Sequence, residues 1–232
     1  MISYKDALSI IAANVERTAL ETIMPICGRV CAVSMSSPVD VPGFANSAMD
    51  GFALRSVDCG GEQPIRLRVN GTITAGMTAP DAEAKPGTAW EIMTGAPLPK
   101  GYDAVIPVEK TRRDGDFVDL TVKPAAGANI RNPGEDFSTS APVIEAGTVI
   151  TPEILMGLAA VGIDSVSAYK QPNVAIITTG NEISSNSSDA KRGIIRDSNR
   201  PYLEAAVAQS GALLTRTCSV NDDAAALAEA IT

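Results

Sequence analysis

The sequence predicts a mixed α/β and β fold of several domains. Three observations carry that reading: helical apolar spacing near the N-terminus, short punctuated strands between about residues 65 and 122, and an apolar strand followed by a helix after residue 172. The expected division is residues 1–45 with 137–170 as one discontinuous, elongated unit, 46–136 as a β-rich insert, and 171–232 as the start of a parallel α/β unit.

Taken in order, Ser3 to about Thr18 reads as a helix. Ser3 and Asp6 fit a capping box with Asp in place of Glu, and Ala7, Leu8, Ile11 and Val15 follow at helical spacing. IRLRV, TAWEIMT, DAVIPVEK and FVDLTV read as strands separated by Ala-Gly, Pro-Gly, Pro-Lys-Gly and Asp-Gly turns. Thr151 to Gly162 is a second helix, with Thr151 as N-cap and Pro152 in its first turn. NVAIITTGNE reads as a parallel strand buried on both faces, with polar residues at its carboxyl end. Asp197 or Ser198 caps a helix to about Ser210, ALLTRTCSV is the next strand, and NDDAAALAEAIT opens another helix. Two parallel strands cover a sheet poorly, so the α/β unit is expected to be incomplete and the chain a piece of a longer protein.

Composition narrows the chemistry. The chain has 232 residues, 45% of them hydrophobic, and a formal net charge of −8. That suits a soluble protein with a core and argues against nucleic acid as a partner. No apolar run is long enough to span a bilayer, and MISYKDALSI lacks the features of a secretory signal, which favours the cytoplasm. Histidine is absent, which removes Ser-His-Asp and Cys-His catalysis. Cys27, Cys31, Cys59 and Cys218 form no zinc pattern, and Cys27 and Cys31, one turn apart if their segment is helical, are expected as buried thiols. The remaining tools are carboxylates, Lys, Arg, hydroxyls, backbone amides and a hard cation such as Mg²⁺.

Polar clusters fall where strands end and glycine lets the backbone approach a ligand. They are Asn46, Ser47 and Asp50 in VPGFANSAMDGFAL; Thr94 and Gly95 in MTGAPLPKG; Arg131, Glu135 and Asp136 in NIRNPGEDF; Thr179, Gly180, Asn181 and Glu182 in TTGNE; Ser198 and Asn199 in RDSN; and Asp222 and Asp223 in SVNDD. Each has a bland alternative. Asp50-Gly51 fits a hairpin turn, PGED a surface turn, and RDSN and NDD helix caps. Together, several carboxylates with few counter-charges call for a bridging cation, and a helix start at Ser198-Asn199 offers amides to an anion. The residues alone therefore suggest an acidic, Mg²⁺-assisted site for a phosphorylated or nucleotide-like ligand.

NSAMDGFA, IMTGAPLPKGYDAVIPVE, NIRNPGEDF, IITTGNE and RDSNRPYL occur in this order, and the chain resembles the molybdopterin molybdenumtransferase family, relatives of the gephyrin E domain. The resemblance runs over essentially the whole chain. It implies transfer of molybdenum from molybdate into adenylylated molybdopterin, with Mg²⁺ and release of AMP. It also implies an elongated homodimer whose dimerising arm is helical and β, and whose cleft joins the molybdopterin-binding α/β domain of one subunit to the β-rich domain of the other. Motif by motif, the functional residues fall on Asp50, Thr94, Asp136, Glu182 and Asp222, with Asp50, Asp136 and Glu182 near the metal. Ser47, Gly95, Arg131, Thr179, Gly180, Ser198 and Asn199 are expected to contact the ligand, and the Thr94 hydroxyl to donate to a phosphate or molybdate.

Asn181 stands where the family often has Asp. The family's later glycine-rich and lysine-rich loops have no counterpart before Thr232, so this length of chain alone is expected to be inactive. Two rivals stand beside the enzyme. One is a non-catalytic dimeric scaffold of the gephyrin E-domain type; the other is an unrelated Mg²⁺-dependent nucleotide hydrolase.

Overall fold

The computed structural model describes residues 2–61, 64–81, 83–184 and 193–232. They form two compact units: Met1–Met35 with Ile144–Ala159 and Ile163–Thr232, and Ser36–Val143 with Ala160–Gly162.

The unit centred on Ser36–Val143 is built on a six-stranded sheet. Its strands lie in the order Ala104–Pro107, Gly51–Leu54, Thr88–Ile92, Ile65–Ile73, Phe117–Leu120 and Thr111–Asp114. All neighbours are antiparallel except Ile65–Ile73 and Thr88–Ile92, which run parallel with an irregularity between Val69 and Thr72. Period-two side chains feed two cores on opposite faces. Phe52, Leu54, Leu67, Ile106 and Leu120 fill one; Ala53, Ile73, Ile92, Tyr102 and Val105 fill the other. Truncating one of these Leu or Ile side chains to Ala costs roughly 2–5 kcal/mol.

The strand Gly51–Leu54 sits second in the sheet, although GFAL is too short to show a period. Its first residue has to be glycine. A Cβ on Gly51 would lie 1.9 Å from the Ile106 carbonyl oxygen. Asp50-Gly51 is therefore the entry to an inner strand and not the centre of a hairpin turn.

In the other unit the first helix spans Tyr4–Asn14, starting at the expected cap. Ser3 Oγ accepts from the Asp6 amide and donates to the Asp6 carboxylate. The helix ends four residues before Thr18, because Asn14 turns its side-chain amide onto the Ile10 carbonyl and Val15 is extended. Its apolar spacing does not mark a core: Leu8, Ile10, Ile11 and Val15 are exposed. Leu20–Ile23 pairs antiparallel with Val166–Tyr169. The helix Pro152–Ala160 follows Thr151, whose carbonyl and hydroxyl cap it. The thiols are not uniformly buried: Cys27, in a turn, is exposed, and Cys31 and Cys59 are buried.

Asn173–Thr179 pairs parallel with Leu213–Val220, as a βαβ unit requires, with the helix Asn199–Gln209 between them. The expectation of burial on both faces is not met. Within the strand only Ile176 and Thr178 are buried, since two strands and two helices leave much of the sheet uncovered. The helix Ala224–Ile231 closes the chain, its amides capped by Asp223. No described helix is long and apolar enough to cross a membrane.

Candidate functional site

The predicted residues fall into two groups, one in each unit. In the β-rich unit three motifs converge on Asn46–Ser47. Ile130–Arg131 pairs with it antiparallel, Ser47 exchanges backbone hydrogen bonds with Gly95 and Ala96, and Asn46 bridges Pro97. This convergence brings together the backbone segments that carry Asp50, Thr94 and Arg131.

Asp50 Oδ1 accepts from both the amide and the hydroxyl of Thr94, each at 2.7 Å. These donors, the amide first, hold the Asp50 carboxyl below the usual carboxylate range. Asp50 is thus a carboxylate at neutral pH, suited to a cation and not to proton donation. Its Oδ2 accepts no hydrogen bond among the described residues. The Thr94 hydroxyl proton is committed to Asp50, so Thr94 offers a lone pair to a ligand in place of the donor expected from the sequence.

Ser47 is 1% exposed, and its hydroxyl donates to the Met49 carbonyl, so its work is to shape the loop. Gly95 is favoured by its φ of 76°, and its amide donates to the Ser47 carbonyl. Arg131 donates to both carboxylate oxygens of Asp136, at 2.6 and 2.5 Å, and approaches Glu135 at 3.9 Å. The paired carboxylate raises the already high pKa of Arg131. Asp136 therefore anchors a fixed cation at the surface.

The second group lies at the carboxyl ends of the parallel pair. Thr179 faces Val220, the Gly180 amide reaches the Val220 carbonyl, and Asn181 Oδ1 accepts from the Asp222 amide at 3.2 Å. Asn181 thereby ties together the two loops that carry Glu182 and Asp222, an acceptor role that Asp also fills. A Cβ on Gly180 would meet Glu182 Oε2 at 2.6 Å, so glycine makes the space in which the Glu182 carboxylate sits.

Ser198 precedes the helix Asn199–Gln209, but its side chain makes no capping bond. Asp197 does that work. Its Oδ1 accepts from the Arg200 amide and its Oδ2 from the Thr178 hydroxyl, which also pairs with Ser219 Oγ. The Arg200 amide, then the Thr178 hydroxyl and the Arg200 charge, hold Asp197 below the usual carboxylate range. The signal for Asp197 was in RDSN, whose position one residue before Ser198 allowed either residue as the cap.

Among the described residues no group of three or more Cys, Asp or Glu side chains clusters as a metal centre. The donor chemistry nevertheless fits Mg²⁺ at two acids: Asp50 with its free Oδ2, and Glu182 held against Gly180. Asp136 fits less well, because a cation there would compete with Arg131. A cavity of about 620 Å³ in the first unit, lined by Arg17, Arg29, Tyr169, Lys170, Gln171 and Gly211 among others, contains none of the predicted residues. Its Arg29 is tied to Glu21 and the Tyr169 carbonyl, a structural pairing.

Residues 2–162 match the family described as the MoeA N-terminal region (domain I and II), and residues 175–232 match the "Probable molybdopterin binding domain". The chain is 33% identical over 231 residues to a molybdopterin molybdenumtransferase of Synechococcus elongatus, covering 96% of this chain and 57% of the relative. It is 37% identical over 201 residues to molybdopterin molybdenumtransferase 2 of Mycobacterium tuberculosis, covering 85% and 49%. The crystal structure of a molybdopterin biosynthesis MoeA protein from Pyrococcus horikoshii OT3 superposes with a TM-score of 0.87 at 30% identity, over 100% of this chain and 63% of that one. The chain thus spans about half to three-fifths of the length of these relatives.

Proposed function

The chain belongs to the molybdopterin molybdenumtransferase family, and from that premise we propose that the full-length protein inserts molybdenum from molybdate into adenylylated molybdopterin and releases AMP. Family membership rests on the matches over residues 2–162 and 175–232. The observation that carries the site assignment is the Asp50–Thr94 pair, in which an exposed carboxylate is kept ionised with one oxygen bound and the other without a hydrogen bond among the described residues.

In this reading Asp50 and Glu182 are the carboxylates that would each offer oxygen to Mg²⁺, and the ion when bound would supply positive charge to the phosphates. Arg131, fixed by Asp136, faces the anionic phosphates, and Thr94 keeps Asp50 ionised and oriented. Asn181 and Asp222 shape the rim that receives the nucleotide end. Cleavage breaks one phosphorus–oxygen bond of the anhydride. A water oxygen bonds to one phosphorus as that atom's bond to the bridging oxygen breaks; the bridging oxygen leaves with the other fragment, the water's proton passes to solvent, and AMP departs. In this reading the working protein is a homodimer.

The test incubates full-length protein with adenylylated molybdopterin, molybdate and Mg²⁺, and follows AMP and molybdenum cofactor. Stoichiometric formation of both, stopped by a chelator and restored by Mg²⁺, supports the reading. Absence of AMP with folded, dimeric protein contradicts it and favours the scaffold.

A further inference from the structure

Two loops of the β-rich unit share one hydrogen-bonding plan. In the first, Ser47 Oγ donates to the Met49 carbonyl and accepts from the Met49 amide, and Asp50 Oδ1 accepts from the Thr94 amide and hydroxyl. The Gly95 amide donates to the Ser47 carbonyl and the Ser47 amide to the Ala96 carbonyl. Ten residues earlier in the chain the plan repeats. Ser37 Oγ donates to the Val39 carbonyl and accepts from its amide, and Asp40 Oδ1 accepts from the Thr139 amide at 2.6 Å and hydroxyl at 2.8 Å. The Ser140 amide donates to the Ser37 carbonyl, and the Ser37 amide to the Ala141 carbonyl.

The residue after the threonine is left-handed in both, φ 76° at Gly95 and 71° at Ser140. A serine persists there because the surrounding bonds over-determine it. The motif is Ser-x-x-Asp facing Thr-x-Ala, twice.

The second loop carries Asp136. The segment 40–42 holds it along its length: the Gly134 amide donates to the Pro42 carbonyl, the Asp136 amide to the Val41 carbonyl, and the Val41 amide to the Phe137 carbonyl. A Cβ on Gly134 would lie 3.3 Å from Asp40 Oδ1, so the Asp40 carboxylate sits against the turn itself. We propose that Asp40 is a positioning residue: through Thr139 it fixes the 134–137 turn and so sets where Asp136 holds Arg131. The proposal rests on the reading of Asp136 and Arg131 as site residues.

The experiment compares Asp136→Asn, Asp40→Ala, Thr139→Val and Thr139→Ser in the full-length protein, measuring kcat and KM for AMP release together with Tm. A misplaced Arg131 acts on the transition state more than on substrate binding. Asp40→Ala and Thr139→Val are expected to lower kcat about tenfold with KM within about twofold, while Thr139→Ser restores kcat. If Asp40→Ala does not fold, the Val and Ser pair at Thr139 carries the test. Parent kcat in Asp40→Ala and Thr139→Val, beside a crippled Asp136→Asn, overturns the positioning role and leaves the function standing. A kcat loss that serine does not rescue overturns that role as well. Parent turnover in Asp136→Asn removes Asp136 from the site, and the proposal with it.

Discussion

Asp50 Oδ1 takes two hydrogen bonds from one residue, the amide and the hydroxyl of Thr94, across 44 positions of sequence. The hydroxyl both orients the carboxylate and lowers its pKa. Thr94→Val removes that donor and keeps the amide. The Asp50 pKa then rises, and the acid limb of the pH–rate profile for AMP release moves to higher pH. Thr94→Ser keeps the parent limb. An acid limb that does not move in Thr94→Val contradicts this role.

Gly51→Ala places a Cβ against the backbone of Ile106, which has no side-chain freedom to yield. We expect a loss of about 3 kcal/mol, read as a lower urea midpoint at unchanged slope. A variant as stable as the parent refutes the close approach of Gly51–Leu54 and Ala104–Pro107.

Thr178 is 7% exposed and links Asp197, at the start of a helix, to Ser219 on the neighbouring strand. Thr178→Val keeps the shape and deletes both bonds. The expected cost is about 1–2 kcal/mol in urea unfolding, with faster amide exchange at Arg200. Unchanged exchange at Arg200 contradicts the link.

Asp40, Asp50 and Asp197 all lie below the usual carboxylate range, held there chiefly by the amides of Thr139, Thr94 and Arg200. A depressed folded pKa contributes stability that is present above the unfolded value and lost as pH falls through the folded one. Tm is therefore expected to hold from neutrality to about pH 5 and to fall below about pH 4. The Thr94→Val, Thr139→Val double variant flattens that fall. An identical acid transition in the double variant contradicts the assignment.

Much of this was legible in the sequence where the cause is local. Ser3 and Asp6 cap the first helix three residues apart, Ile65, Leu67 and Val69 alternate inward, and Asp223 caps the last helix. The ordered motifs marked the candidate residues, and three of those motifs meet at Asn46–Ser47. What was not legible depends on distant segments. The strand Gly51–Leu54 owes its place to two neighbours in the sheet, and the Asp40–Thr139 pair closes over 99 positions. The direction of the Thr94 hydroxyl follows from Asp50 and not from its own motif. Leu8, Ile10 and Ile11 show the converse: helical spacing marks an apolar face without saying what covers it.

The most direct test of the account is AMP release by the full-length Asp50→Asn variant with adenylylated molybdopterin, molybdate and Mg²⁺. Asn keeps an oxygen for Thr94 and loses the charge offered to the cation. The predicted result is a rate at least about a hundredfold below the parent at nearly the parent Tm. A rate within about twofold of the parent contradicts the claim that Asp50 is the carboxylate of the site.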